Sequence, residues 1–355
     1  MRILHSPTCT GGNACELSRA ERKLGLDSTV MIFQDNWLHY PCDINLFLDE
    51  SSKLSKYLKM GSFFLRALRE YDIFHFNFGL SLFVIPRLNF FLDLPILKAK
   101  RKKIIVTFQG CDARQRDFCI KNFSLSACKE PDCYQGECSK KMDAKKRKRI
   151  KLFNKYADKI FAINPDLLHV VPNAEFLPYA NVDIRKWIPP KGKRDVRNFN
   201  IVHAPTDRGV KGTKYILQAV EKLKRGSKAV KFSLIENMTH EKVKVIMEDA
   251  DLVIDQVLVG WYGGFAVEAM ALGKPVLCYI REEDLKFIPK TMKEDLPIIN
   301  VNPTNLYDVL DEYINDRKIL SLIGKKSRSY VERYHDPIKI AQQMKELYES
   351  LLCAA

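Results

Sequence analysis

Short apolar runs alternate along this chain with stretches whose apolar residues recur three and four positions apart. Residues 2–5 read as a strand that runs into a Gly11-Gly12 turn and a helix over 14–24, with Leu17, Ala20 and Leu24 on its inner face. Gly25 ends that helix, and residues 28–34 form a second strand. Further strands are predicted over 71–78, 103–109 and 159–163, the last just before an Asn164-Pro165 break. Residues 178–198 then turn to Pro, Gly, Lys and Arg without periodicity, as an interdomain linker does. Beyond it the alternation restarts: strands at 200–203, 230–235, 252–255 and 275–280, with helices at 212–224, 240–248 and 265–271 between them. Asp336-Pro337 reads as an N-cap with proline at the first helical position. The helix it opens carries Ile340, Met344, Leu347 and Leu351 on one face.

Buried strands alternating with helices mean βαβ units and parallel sheets. The expected architecture is α/β, with two Rossmann-like domains facing an interdomain cleft. The first spans 1–183 and carries a cysteine-rich, basic insertion at about 111–151. The second spans 184–335, and residues 336–355 form a C-terminal helix that packs back toward the first.

Composition narrows the class. Of the 355 residues 46% are hydrophobic and 28% charged, so the chain can bury a core and is not disordered. The opening apolar run is too short for a signal peptide, and the longest apolar stretch, 73–97, is broken by Asn77, Arg87, Asn89 and Asp93. These readings predict a cytoplasmic protein whose ten cysteines are reduced thiols or metal ligands. A net charge of +15 favours an anionic partner such as nucleotide phosphates or an acidic membrane face. No recognition motif for nucleic acid accompanies it, so nucleic acid is set aside.

Two constellations fall where a strand's carboxyl end opens a helix, the edge at which open α/β sheets bind ligands. In the segment from His203 to Lys214, Arg208 and Lys211 bring a guanidinium and an ammonium beside the N–H groups of a new helix, a diphosphate site in the making. In the segment from Gly260 to Val276, Gly263 and Gly264 permit close approach of a phosphate, and Glu268 is placed to bind paired ribose hydroxyls. Solvated basic charge and a glutamate that offsets the helix dipole are the plainer alternatives. Asp249-Ala250-Asp251 is a D-x-D that precedes its apolar run and so reads as a helix-to-strand turn.

These two blocks resemble the C-terminal domain of GT-B glycosyltransferases, the "group 1" family of retaining, metal-independent enzymes. Residues 1–12, 106–112 and 177–183 resemble its N-terminal domain and linker. The resemblance implies transfer of a sugar from a nucleotide-diphosphate donor to a glycan or lipid-linked acceptor, with no catalytic cofactor. Arg208 and Lys211 would hold the diphosphate and Glu268 the ribose. Gly263, Gly264 and Phe265 would line the donor site, with Gly11 and Gly12 across the cleft and Gln109 near the reacting sugar. Two positions depart from the family: Gly260 stands where a glutamate contacts the donor sugar, and Gln109 where a histidine is common. The departures keep two rivals open, a non-catalytic GT-B subunit and a nucleotide-sugar epimerase of the same fold.

Cys111, Cys119, Cys128, Cys133 and Cys138 crowd one segment. The last four could close a structural zinc site or remain thiols. The run 140–151 that follows holds eight basic residues against one acid, either a solvated helix face or a contact for the inner face of the cell membrane.

Overall fold

The computed structural model describes residues 1–35, 40–85, 90–190, 198–226 and 229–353. Most of the basic half of the expected linker, 191–197, lies outside them, as do Arg87 and Asn89. Strands run in chain order as β1 (Arg2–Ser6), β2 (Asp27–Ile32), β3 (Ile44–Asn45), β4 (Ile73–Asn77), β5 (Val84–Ile85), β6 (Phe90–Phe91), β7 (Lys103–Phe108), β8 (Lys159–Ala162) and β9 (Ala174–Phe176). There follow β10 (Phe199–His203), β11 (Val230–Leu234), β12 (Leu252–Ile254), β13 (Val276–Cys278) and β14 (Ile299–Asn300).

They form two parallel sheets, ordered β3-β2-β1-β4-β7-β8-β9 and β11-β10-β12-β13-β14, beside a β5–β6 hairpin. Both orders reverse once, between β1 and β4 and between β10 and β12, so each sheet has a switch point at which its carboxyl edge opens into a crevice. The strands are apolar almost throughout because helices cover both faces of a parallel sheet. Ile104, Ile105, Val106 and Phe108 of β7 and every residue of β12 and β13 are buried.

The chain divides into two compact units. The first comprises residues 1–115, 141–181 and 336–355; the second comprises 116–140 and 182–335. Residues 116–140, read from the sequence as part of a first-domain insertion, thus pack with the second sheet. The contacts responsible are with the loops after β10 and β12, far along the chain.

A buried polar network ties the first unit together. The Glu21 carboxylate accepts from Ser28 Oγ at 2.6 Å and from the Tyr348 hydroxyl at 2.8 Å, and lies 2.8 Å from His5 Nε2. His75 continues the chain of contacts, 3.2 Å from the Tyr348 hydroxyl and 2.7 Å from Thr107 Oγ1. Burial, and then the neighbouring His5, hold His75 well below the usual imidazole range, so it stays neutral. The helix Pro337–Cys353 is thereby fastened to the helix Asn13–Lys23, which it also packs against, and Ile340, Ala341 and Met344 are among its buried residues. Asp336 caps it through the Ile338 N–H at 3.0 Å.

Asp249 ends the helix His240–Glu248 and Asp251 accepts the Asn200 N–H at 2.9 Å, so this D-x-D is the turn into β12. Cys9 and Cys15 are joined as a disulfide, where reduced thiols were expected; the turn Thr10–Gly12 doubles the chain back and sets their Cα atoms 6.1 Å apart. No helix among the described residues is long and apolar enough to cross a membrane.

Removing the Tyr348 hydroxyl leaves a buried carboxylate short of a donor. Tyr348→Phe should lower the unfolding free energy by about 1–3 kcal/mol in urea titrations. An unchanged midpoint would show that this latch adds nothing to stability.

Candidate nucleotide site at the edge of the second sheet

Three segments meet at the β10/β12 switch point. The first is the loop after β10, which carries the short helix Arg208–Lys211, started by Asp207 Oδ1 accepting the Val210 N–H at 2.8 Å. The second is the end of β12, where Asp255 is completely buried. The third is the glycine turn that opens the helix Gly264–Ala271.

Asp255 joins all three. One carboxylate oxygen accepts from Lys211 Nζ at 2.6 Å and the other from the Gly263 N–H, also at 2.6 Å. The Lys211 carbonyl accepts the Val257 N–H at 3.1 Å, closing a loop of contacts around the pair. Lys211 is only 8% exposed, so the attraction acts where water screens it little. An ammonium has three N–H groups, and Asp255 takes one. Asp255 thus holds Lys211 and Gly263, and the neighbouring Gln256 amide donates to the Trp261 carbonyl.

Beneath the pair, His203 donates from Nδ1 to the Ile254 carbonyl at 2.8 Å, and its Nε2 accepts from Thr213 Oγ1 at 2.9 Å. Burial, with the Lys211 ammonium adding to it, pushes His203 down to about 4, so the ring is neutral near pH 7.

Arg208 is exposed and forks onto Glu236, with Nε 2.8 Å from Oε1. Glu268 is buried, with Oε1 2.8 Å from Nε2 of the more exposed His240, whose ring lies 5.3 Å from that of Trp187. Arg208, Lys211, Gly263, Gly264, Phe265 and Glu268 are therefore all borne by this carboxyl edge and the helices it opens.

The segment 116–140 lies against the same edge. Its backbone passes so close to Gly209 that a β-carbon there would collide with the Asp132 carbonyl oxygen. Glu130 pairs with Lys214 and accepts from the Tyr215 hydroxyl at 2.9 Å. The Ala127 N–H donates to the Leu258 carbonyl at 3.2 Å. Arg281 stacks its guanidinium 3.6 Å over the Phe123 ring, donates to the Leu125 carbonyl at 3.0 Å and pairs with Asp284 at 2.8 Å. Gly260 sits beneath that guanidinium at φ +95°, where a β-carbon would lie 2.7 Å from Arg281 Nη1. A glutamate at position 260 has neither the backbone conformation nor the room.

The four cysteines offered for zinc or as thiols all belong to the segment 116–140. Cys119 and Cys128 share a small cluster with Phe123, Cys133 belongs to the core of the second unit, and Cys138 is half-buried. Among the described residues no group of three or more His, Cys, Asp or Glu is arranged to hold a metal ion.

Gly11, Gly12 and Gln109 belong to the first unit. Gly11 and Gly12 turn the chain after β1 at φ +61° and +75°. Gln109 follows β7: its N–H donates to Asp112 at 3.1 Å and its side-chain amide to Asn77 Oδ1 at 3.2 Å, while its carbonyl accepts from Asn164 at 2.5 Å. Burial raises Asp112 to about 6 against these N–H contacts, which pull the other way. Of the basic run, Lys146 is buried, its Nζ donating to the Arg114 carbonyl at 2.7 Å and lying 3.7 Å from Asp143. Lys141, Lys145, Arg147, Lys148 and Lys151 are exposed.

No family model and no curated protein matches the sequence. Solved structures do match the fold. The catalytic domain of starch synthase IV from Arabidopsis thaliana, bound to ADP and acarbose, is similar at a TM-score of 0.64 and 10% identity over 99% of each chain. HepE of Anabaena in complex with UDP and glucose gives 0.63 and 15% over 99% of this chain and 100% of that one. A UDP-GlcNAc 2-epimerase from Neisseria meningitidis, bound to UDP-GlcNAc, gives 0.53 and 12% over 99% and 100%. The likeness spans the whole chain and establishes the fold, two Rossmann-like domains of the GT-B class.

Two measurements test the geometry. Asp255→Ala strands a buried ammonium and should cost about 3–5 kcal/mol, whereas Lys211→Met with Asp255→Leu should cost less than that single change. A single variant as stable as the double would show that the pair is not what holds these loops. For His203, the depressed value means that the unfolded chain binds the proton first, so its share of stability is present above pH 6.5 and lost as pH falls toward about 4. His203→Gln should flatten the stability profile across that window, and a profile of unchanged slope would place the titration elsewhere.

Proposed function

We propose that this chain is a glycosyltransferase that moves a sugar from a nucleoside-diphosphate donor to a glycan or lipid-linked acceptor, with retention of configuration and without a catalytic metal ion. The observation that carries the reading is the convergence of Lys211, Arg208 and the glycine turn at the β10/β12 switch point, in a fold shared with structures solved with UDP and ADP.

Each side chain has a task in this reading. Lys211, fixed by Asp255, presents its remaining N–H groups to the diphosphate. Arg208 exchanges Glu236 for phosphate oxygens at small cost, since an exposed ion pair is worth about 1 kcal/mol or less. The Gly263 N–H is already committed to Asp255, so this residue serves by letting a phosphate approach the backbone, and the start of the helix Gly264–Ala271 supplies favourable dipole. Glu268, steadied by His240, accepts from the ribose hydroxyls. The acceptor hydroxyl attacks the anomeric carbon on the face that the diphosphate leaves. The bond from that carbon to the phosphate oxygen breaks, and the hydroxyl proton passes to the departing phosphate. Fixed cations that meet charge as it develops on the leaving group are a principal source of rate. With Gly260 under Arg281, contacts to the donor sugar come from elsewhere than position 260. A second reading, a nucleotide-sugar epimerase, draws on the likeness to the 2-epimerase.

Arg208→Ala removes a charge-assisted contact without disturbing the core. Calorimetry with UDP-, GDP- and ADP-sugars should show about 10- to 150-fold weaker binding of the preferred donor, and EDTA should leave the wild-type affinity unchanged. Glu268→Gln should weaken a ribonucleotide more than its 2′,3′-dideoxy analogue. Normal binding by Arg208→Ala, or loss of binding with chelator, sinks the metal-free diphosphate site. Conversion of the donor to its epimer without transfer or hydrolysis would establish the second reading instead.

A further inference from the structure

The helix Lys53–Glu70 in the first unit is apolar on two sides. Met60, Phe63, Phe64 and Ala67 face the core, as a helix covering a sheet requires. The opposite side carries Leu54, Tyr57, Leu58 and Leu65, at the three- and four-residue spacing of a second helix face. Leu54, Leu58 and Leu65 are 71%, 64% and 61% exposed, three of the four most exposed large apolar side chains among the described residues. Phe47, half exposed, borders the groove beside Leu58 and extends the patch. Single exposed leucines need no explanation; a contiguous stripe with an adjoining aromatic does.

The charges around the stripe indicate what covers it. Lys53, Lys56, Lys59, Arg66 and Arg69 stand along the helix against one acid, Glu70. Asp49 and Glu50 lie just ahead of the Ser52 cap. A second copy meeting this face would bring five basic side chains against five. An apolar stripe edged by lysine and arginine suits an interface in which leucines enter the acyl boundary and cations meet phosphate headgroups.

We propose that this face of Lys53–Glu70 docks on the surface of an anionic lipid bilayer. The inference does not depend on the donor chemistry, because it is read without turnover. It differs from a contact through residues 140–151, where the exposed side chains are almost all basic and only Met142 is a large apolar one.

The test is sedimentation of the full chain with vesicles of phosphatidylglycerol mixed with phosphatidylcholine, and with phosphatidylcholine alone. Binding should favour the anionic vesicles and fall as salt rises. Leu58→Glu with Leu65→Glu should weaken it by about tenfold or more, since both apolar groups are lost from the contact. Leu322→Glu, an equally exposed position in the second unit, should bind as the wild type does. In a separate variant, Leu58→Trp, emission should move to the blue on adding anionic vesicles, a readout that needs no loss of binding. Full binding by the double glutamate variant, its loss only on Lys145→Glu with Lys148→Glu, or equal binding to neutral vesicles would each overturn the proposal. So would a concentration-dependent dimer that the glutamates dissolve in a protein that binds no vesicles.

Discussion

The geometry of the second unit turns on one carboxylate. Asp255 follows a strand whose every residue is buried, and its two oxygens reach the loops on either side. A loop carrying Lys211 and a turn carrying Gly263 would otherwise be independent, each free to choose among conformations. With the carboxylate between them they have one spacing, set by two contacts of 2.6 Å and backed by the Val257 N–H on the Lys211 carbonyl. A buried pair of this kind is weak evidence for stability, because desolvating two ions offsets much of their attraction. Its effect is on position, and position is what a polar ligand site requires.

The segment 116–140 adds a second constraint to the same loops, from outside. It approaches Gly209, anchors Lys214 and Tyr215 through Glu130, and brings Phe123 under Arg281. Gly260 is the result seen in the sequence. Arg281 takes the space beside it, and at φ +95° the backbone favours glycine, so the glycine is a packing requirement.

Much of the fold was legible in the chain. The helix at 240–248 and the strand runs at 71–78, 103–109 and 252–255 stand out because buried parallel strands are short, apolar and bounded by turn residues. The helix Lys53–Glu70 is harder to read, since apolar residues on two sides blur the single stripe that marks a surface helix. At the candidate site, the positions of Arg208, Lys211 and Gly263 could be placed on one edge from sequence order alone. Their partners could not. Asp255 lies 44 residues from Lys211, and nothing local distinguishes a carboxylate that holds a loop from one that awaits a sugar. The placement of 116–140 was equally hidden, because its composition describes an insertion and says nothing of which sheet it will join.

The division of the chain bears on how it is made. Moving from residue 1 onward, the polypeptide enters the second unit at 116, returns at 141, leaves again at 182 and comes back at 336. Glu21 and Tyr348, in contact at 2.8 Å, are separated by 327 positions. The first unit therefore cannot close its polar network until the helix Pro337–Cys353 has been synthesised, and until then the helix Asn13–Lys23 lacks that partner. Synthesis therefore includes a wait for the helix Pro337–Cys353, a period in which a chaperone has something to cover.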